Sequence, residues 1–172
     1  MRVARTIGGW LLVLGSGMAA QAADGRFGWL GLAPAEAGNT LAQAEAALGA
    51  PLQPAGAAPK DAARCHTRHA PSQPGVSYIV HQGLVTRMET RDPRYATVRG
   101  VRVGDAVQRV RQVYGQRLSV NPHPYFDRGL LLAVYSPDRK FALVMESNDA
   151  GRIVTLRGGL VPAVDFLEGC SA

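Results

Sequence analysis

Residues 38–52 read GNTLAQAEAALGAPL, and residues 104–118 read GDAVQRVRQVYGQRL. The two stretches align without a gap, Gly38 on Gly104, Gly49 on Gly115 and Leu52 on Leu118. The opening glycine is followed by Asn39 or Asp105, whose side-chain oxygen can accept from the free amides of a helix's first turn. Apolar residues then recur at Leu41, Ala44 and Leu48, and at Val107, Val110, Val113 and Tyr114, which is one face of a helix. Gly49 and Gly115 suit the left-handed residue that ends a helix. An internal duplication is therefore expected, each copy starting with a short capped helix.

Strands are expected after each helix. In the first copy Gly75–Val80 is a β-rich run, His81-Gln82-Gly83 a turn, and Leu84–Thr90 the return strand. In the second, Leu130–Tyr135, Lys140–Glu146 and Arg152–Arg157 read as three strands broken at Ser136-Pro137-Asp138 and at residues 147–151. Gly83–Arg87 and Gly151–Thr155 occupy corresponding places. By the same correspondence a polar strand holding Cys65 is expected near residues 63–68. Pro51–Pro59 is a loop by composition. The expected fold is α+β, with two tandem helix-plus-antiparallel-hairpin units and helices packed on one face of the sheet, and two such three-stranded units can fuse into one continuous sheet. The first unit would span residues 23–97 and the second 98–172.

Ahead of the first copy, residues 1–22 have the form of a secretory signal peptide. Arg2 and Arg5 give the positive start, Ile7–Leu14 the short apolar run, and Ala20-Gln21-Ala22 the cleavage motif, so the mature chain begins at Ala23. The apolar run from Ile7 to Ala20 contains four glycines and is shorter than the ~20 residues a membrane-spanning helix needs. No cysteine near Ala22 offers a lipidation site. The expected location is the periplasm, or the medium outside the cell.

Composition agrees with a folded chain. Of 172 residues 47% are hydrophobic and 19% charged, which excludes a disordered chain, a collagen and a coiled coil. The formal charge is +6, of which Arg2 and Arg5 leave with the signal. The two cysteines, Cys65 and Cys170, are expected to pair as a disulfide in an exported chain. Cys65, His66 and His69 in CHTRH have the alternative of holding a metal, although no fourth ligand stands at a recognisable spacing.

Catalytic motifs do not occur. There is no G-x-S-x-G, H-E-x-x-H, P-loop or dinucleotide fingerprint, and the carboxylates are not spaced for acid–base work. A site built from His66, His69 or His123 with distant partners is the enzymatic alternative. The main expectation is a non-enzymatic protein without cofactor or metal.

One compositional feature points to a partner. Between Arg87 and Arg117 eight arginines face only Glu89, Asp92 and Asp105, a local excess of five positive charges. Arg91, Arg94, Tyr95, Arg99, Arg102, Arg109 and Arg111 form the candidate surface, which reads either as a face for phosphate or carboxylate partners or as solvated surface. After export the partner would be an anionic envelope component or another envelope protein, and not nucleic acid.

Residues 98–118, VRGVRVGDAVQRVRQVYGQRL, with their V-G-D, amphipathic helix and Y-G, resemble a motif of small exported bacterial proteins. The terminal Glu168-Gly169-Cys170 also recurs there. Over about residues 38–170 the chain is similar to the β-lactamase-inhibitor-like superfamily and to small outer-membrane assembly lipoproteins of the SmpA/OmlA type. The resemblance implies a non-enzymatic protein that binds other proteins, with inhibition of a secreted or periplasmic enzyme as the alternative. The chain departs from the lipoprotein branch in lacking a lipidated cysteine, and no binding residue carries over.

Overall fold

The computed structural model describes residues 25–56 and 64–170. The expected signal segment and its cleavage site lie outside the described residues. In chain order the elements are β1 (Arg26–Gly28), β2 (Gly31–Leu32), α1 (Leu41–Leu48), β3 (Gln53–Pro54), β4 (Cys65–His69), β5 (Val76–His81), β6 (Leu84–Thr90), β7 (Ala96–Thr97), α2 (Val107–Tyr114), β8 (Ser119–Pro122), β9 (Leu130–Tyr135), β10 (Phe141–Ser147) and β11 (Ile153–Leu160).

Eight of these strands form one antiparallel sheet in the order β3-β4-β5-β6-β11-β10-β9-β8. That corrects the expected architecture. The described residues form not two helix-plus-hairpin units under a layer of helices but a continuous sheet with two α-helices of eight residues each. At 1.5 Å per residue such helices are roughly 12 Å long, too short to cover eight strands. The rest of that face is covered by a small sheet, β2-β1-β7, which the sequence pattern did not reveal. β6 and β11 bury residues on both faces. Such strands belong at the centre of a sheet, and they pair with each other there.

The two aligned stretches make matching backbone contacts. The amide of Gly38 donates to Val85 O at 2.8 Å, and that of Gly104 to Ile153 O at 2.7 Å. Leu41 N donates to Gly83 O, and Val107 N to Gly151 O; Val85 N donates to Asn39 O, and Ile153 N to Asp105 O. Each helix start is thus fastened to the turn that begins the last strand of its own half. Both of these strands carry a bulge at the corresponding place, Thr86 in β6 and Val154 in β11. The extra residue brings Val85 and Met88, and likewise Ile153 and Leu156, onto the core face although they are three apart. Glu89 and Arg157, each six residues beyond the corresponding glycine, are direct partners across the β6–β11 ladder.

Asn39 and Asp105 do not cap the helices. Their side chains turn back, accepting from Glu36 N at 2.8 Å and Arg102 N at 2.9 Å. Each closes a tight turn around a glycine with φ near +95°, Gly38 or Gly104, a conformation open to glycine because it has no Cβ. The caps fall one residue later. Thr40 forms a capping box with Gln43, whereas Ala106 offers no side-chain oxygen.

The main core lies between the large sheet and its cover. Tyr78, Met88, Leu132, Leu143 and Leu156 pack there with Phe27 and Leu32 of the small sheet, Ala44 of α1, and Val110 and Tyr114 of α2. The β1–β2 turn approaches β11 so closely that a Cβ on Gly158 would lie 2.3 Å from Gly28 O and 2.7 Å from Gly31 Cα. Gly158→Ala is therefore expected to push the small sheet off the core and cost about 1–3 kcal/mol or more. A urea unfolding midpoint equal to that of the parent chain would contradict this packing.

The opposite face is covered by the C-terminal segment, residues 161–170. Val164 packs on Ala133, Ala142 and Val144. Two arginines, Arg87 and Arg157, lie beneath it at 1% exposure, and both donate to Phe166 O. Arg157 also pairs with Glu146, and Arg87 with Glu89 at 2.9 Å. Burial pulls the Arg87 guanidinium down from its ordinary pKa, and Glu89 opposes that pull. The segment ends at the Cys65–Cys170 disulfide, with Cα atoms 5.4 Å apart, as the cysteine count led us to expect.

Candidate functional site

The histidines do not assemble a reactive centre. Cys65 is held in the disulfide, so CHTRH cannot ligate a metal through it. His66 and His69 are three apart on β4, which places them on opposite faces of the strand. His69 Nδ1 lies 3.0 Å from Val76 O. His123 is buried against the rings of Tyr125 and Phe126 and accepts from Tyr125 N. Among the described residues no group of three His, Cys, Asp or Glu is arranged to hold a metal ion.

The candidate arginine surface divides into members tied to the protein and members that are not. Arg94 makes a forked pair with Asp92 and reaches Pro74 O. These bonds hold the Asp92 carboxyl below the usual carboxylate range. Arg102 donates to Arg94 O at 2.9 Å, and Arg109 pairs with Asp105 at 3.1 Å while reaching Gly100 O. Tyr95 donates to Pro74 O and packs edge-on against Phe27. These four residues brace the loop around β7. Arg91 and Arg111 are exposed and have no carboxylate within ion-pair distance among the described residues.

Arg99 belongs elsewhere. Its guanidinium lies 5.8 Å from the centre of the Tyr114 ring and donates to Val113 O at 3.4 Å. With Arg117 it rims a depression of about 190 Å³ walled by Gly28, Trp29, Val98, Tyr114, Val134 and Leu143. The lining is mostly apolar. Trp29 and Val98 are 36% and 57% exposed. Burial raises the Tyr114 phenol's pKa, and the phenol donates to Thr97 Oγ1 at 2.8 Å. Neither arginine has a carboxylate partner among the described residues.

Two further depressions share walls with this one. Trp29, Gly28 and Val98 also line a hollow of about 240 Å³ with Arg26, Leu30, Ala33 and Glu36. Arg117 also lines a polar cleft of about 440 Å³ with Ser119, Ser136 and Arg139. Arg139 stacks on Tyr135 with its guanidinium 4.4 Å from the ring centre. Gly28, Trp29 and Val98 thus border two hollows, and Arg117 stands between the apolar hollow and the polar cleft. The arginine count found Arg99 and Arg117, but not Trp29, Val98 or Arg139. A lone tryptophan between glycines in Phe27–Leu32 was the available signal.

A fourth hollow, about 180 Å³, lies under the C-terminal segment between the disulfide, His81, Arg87 and Phe166. Arg87, the arginine that lines it, is paired with Glu89, so the place has no surplus arginine charge with which to draw an ion. It is part of the packing of the segment. No family model, curated protein or solved structure matches the chain.

Proposed function

We propose that this chain is an exported, non-enzymatic binding protein whose partner is negatively charged, an envelope protein or an anionic envelope component. One observation carries the reading. Arg91, Arg99, Arg111 and Arg117 are exposed and without a carboxylate partner among the described residues, while Asp92 and Asp105, which lie in the same stretch, are already engaged by Arg94 and Arg109. Guanidinium groups left in this state suit carboxylate and phosphate oxygens, which they meet two at a time.

Export is supported by the form of residues 1–22 and by a disulfide joining residues 105 apart, a bond that persists in oxidising compartments. Among the described residues no helix is long and apolar enough to cross a membrane. The resemblance to β-lactamase-inhibitor-like and SmpA/OmlA-type proteins fits the same role. It rests on the Val103-Gly104-Asp105 turn, the Tyr114-Gly115 helix end and Glu168-Gly169-Cys170.

Retention on phosphatidylglycerol vesicles and on immobilised polyglutamate, measured at low and high salt, tests the proposal. Arg91, Arg99, Arg111 and Arg117 are changed together to Gln. Retention is expected to be salt-sensitive on at least one surface and to weaken at least tenfold in this variant. A charge-matched control removes Arg128, Lys140, Arg152 and Arg64 and should weaken less. Equal losses in the two variants would reduce the effect to net charge and overturn the proposal.

A further inference from the structure

We infer that the groove running past Trp29, Val98, Arg99 and Arg117 binds an extended acidic peptide segment, with one large apolar side chain in the central hollow and its carboxylates on the arginines beside it. The inference rests on the reading above, that the partner is anionic, and names what it is made of.

Size and lining decide the apolar part. The central hollow of about 190 Å³ is walled by Trp29, Val98, Tyr114, Val134 and Leu143. A void of roughly 150 Å³ with such a lining is enough for a benzene-sized group, so this one takes a single phenylalanine or leucine side chain. Trp29 and Val98 stand exposed at its mouth, where a bound side chain would cover them. Aromatic anchors of this kind carry most of the energy in protein recognition.

Charge decides what stands beside it. Arg99 and Arg117 rim the hollow, and Arg117 continues into the cleft that holds Arg139. None of the three has a carboxylate partner among the described residues. An occupant that is apolar at one point and acidic over the next few residues satisfies both halves of the groove.

Shape excludes the competing ligands. An acyl chain requires a continuous apolar slot, but here one apolar hollow is followed by a polar cleft lined with Ser119 and Ser136. A neutral glycan can lay a ring face on Trp29, but it leaves Arg99 and Arg117 without a counter-charge. A peptide in extended form advances about 3.3 Å per residue and alternates its side chains, which suits a row of hollows of different character.

Fluorescence anisotropy of a labelled peptide tests the inference. The probe is an acetylated peptide with a central Phe followed by three Asp residues within the next four positions. Saturable binding is expected that weakens at least tenfold when the Phe becomes Ala, and at least tenfold when the Asp residues become Asn. Val98→Glu, which narrows the hollow with a like charge, and the pair Arg99→Gln with Arg117→Gln should each weaken it at least tenfold. Both sites are exposed, and an unchanged thermal midpoint certifies folding. Peptide binding indifferent to the Phe or to Val98→Glu overturns the inference. If the four-arginine variant loses vesicle or polyglutamate retention while the peptide never binds, the groove assignment fails and the anionic-partner reading stands. If phosphatidylglycerol vesicles bind, and Val98→Glu abolishes that binding without any peptide affinity, the groove holds lipid and the peptide inference is wrong.

Discussion

Replacing Cys65 and Cys170 together by serine is expected to lower the free energy of unfolding by about 4–5 kcal/mol. The residues are 105 apart, and a cross-link closing a loop near that length removes roughly that much free energy of disorder from the unfolded chain. A second contribution comes from what the bond secures. Residues 161–170 close over Arg87 and Arg157, and Phe166 O accepts from both guanidiniums. Without the bond the last turn is held by Val164, those hydrogen bonds and the ones Arg87 gives Ala163 O and Tyr125 gives Glu168, and its opening exposes two cations and a small apolar cluster. The double serine variant should unfold at lower urea, and limited proteolysis should nick it within residues 161–170 while the rest of the chain stays intact. An unchanged midpoint, or an intact C-terminal segment at protease levels that leave the parent whole, would show that the bond decorates a segment already held by packing.

The fate of particular residues explains how far the sequence could be read. Leu130–Tyr135 forms the strand expected of it to the residue, because its apolar run is bounded by turn formers on both sides. Cys65 and Cys170 pair because only one pairing was available. The helix stretches were found, but their caps were placed one residue early. Asn39 and Asp105 had two amide partners in reach, and the one behind them in the chain won once Gly38 and Gly104 had turned the backbone.

The sheet departs furthest from the expectation. Gly158 and Gly159 look like a strand end, yet they continue β11 because a side chain at either place would strike the backbone of its neighbours. That continuation aligns β11 with β6 and joins the two halves. Nothing local in either strand announces it, since the partner lies 68 residues away by the repeat's own spacing. The small sheet was missed for a related reason. β1 and β2 are only three and two residues long and gain their order from lying on Met88 and Gly158. The groove draws on residues 28–29, 98–99, 114–117, 134 and 143, which share no periodicity. Only its arginines left a trace in composition.

The duplication and the C-terminal segment also pull against each other. The repeat places Glu89 opposite Arg157 at the centre of the sheet, and Arg87 corresponds to Thr155 by position after Gly83 and Gly151. Equivalent positions have therefore become unlike in charge, on the one face that a single C-terminal segment covers. Two copies of one sequence have no second C-terminus to offer, so the covered face had to become asymmetric.

Arg157→Met is accordingly expected to be among the most damaging single substitutions, at about 3–5 kcal/mol. Arg157 pairs directly with Val144 across the β10–β11 ladder, and Glu146 is its diagonal neighbour on the same face. The guanidinium meets that carboxylate and also donates to Phe166 O at 2.6 Å. Its side chain is 1% exposed and that of Glu146 10%. Removing the arginine leaves a carboxylate out of water without its counter-charge, and leaves Phe166 O one donor short. Methionine replaces the volume and makes the test one of charge rather than of a cavity. Glu146→Leu creates the converse fault, a buried cation that has lost the carboxylate it contacts directly. Combining the two changes removes both charges and their desolvation together. The double variant should therefore be more stable than either single variant, and within about 1–2 kcal/mol of the parent. Urea unfolding of all four proteins provides the cycle. If the two losses simply add, Arg157 and Glu146 act independently, and the C-terminal segment is held by its apolar contacts and the disulfide instead of by the ion pair beneath it.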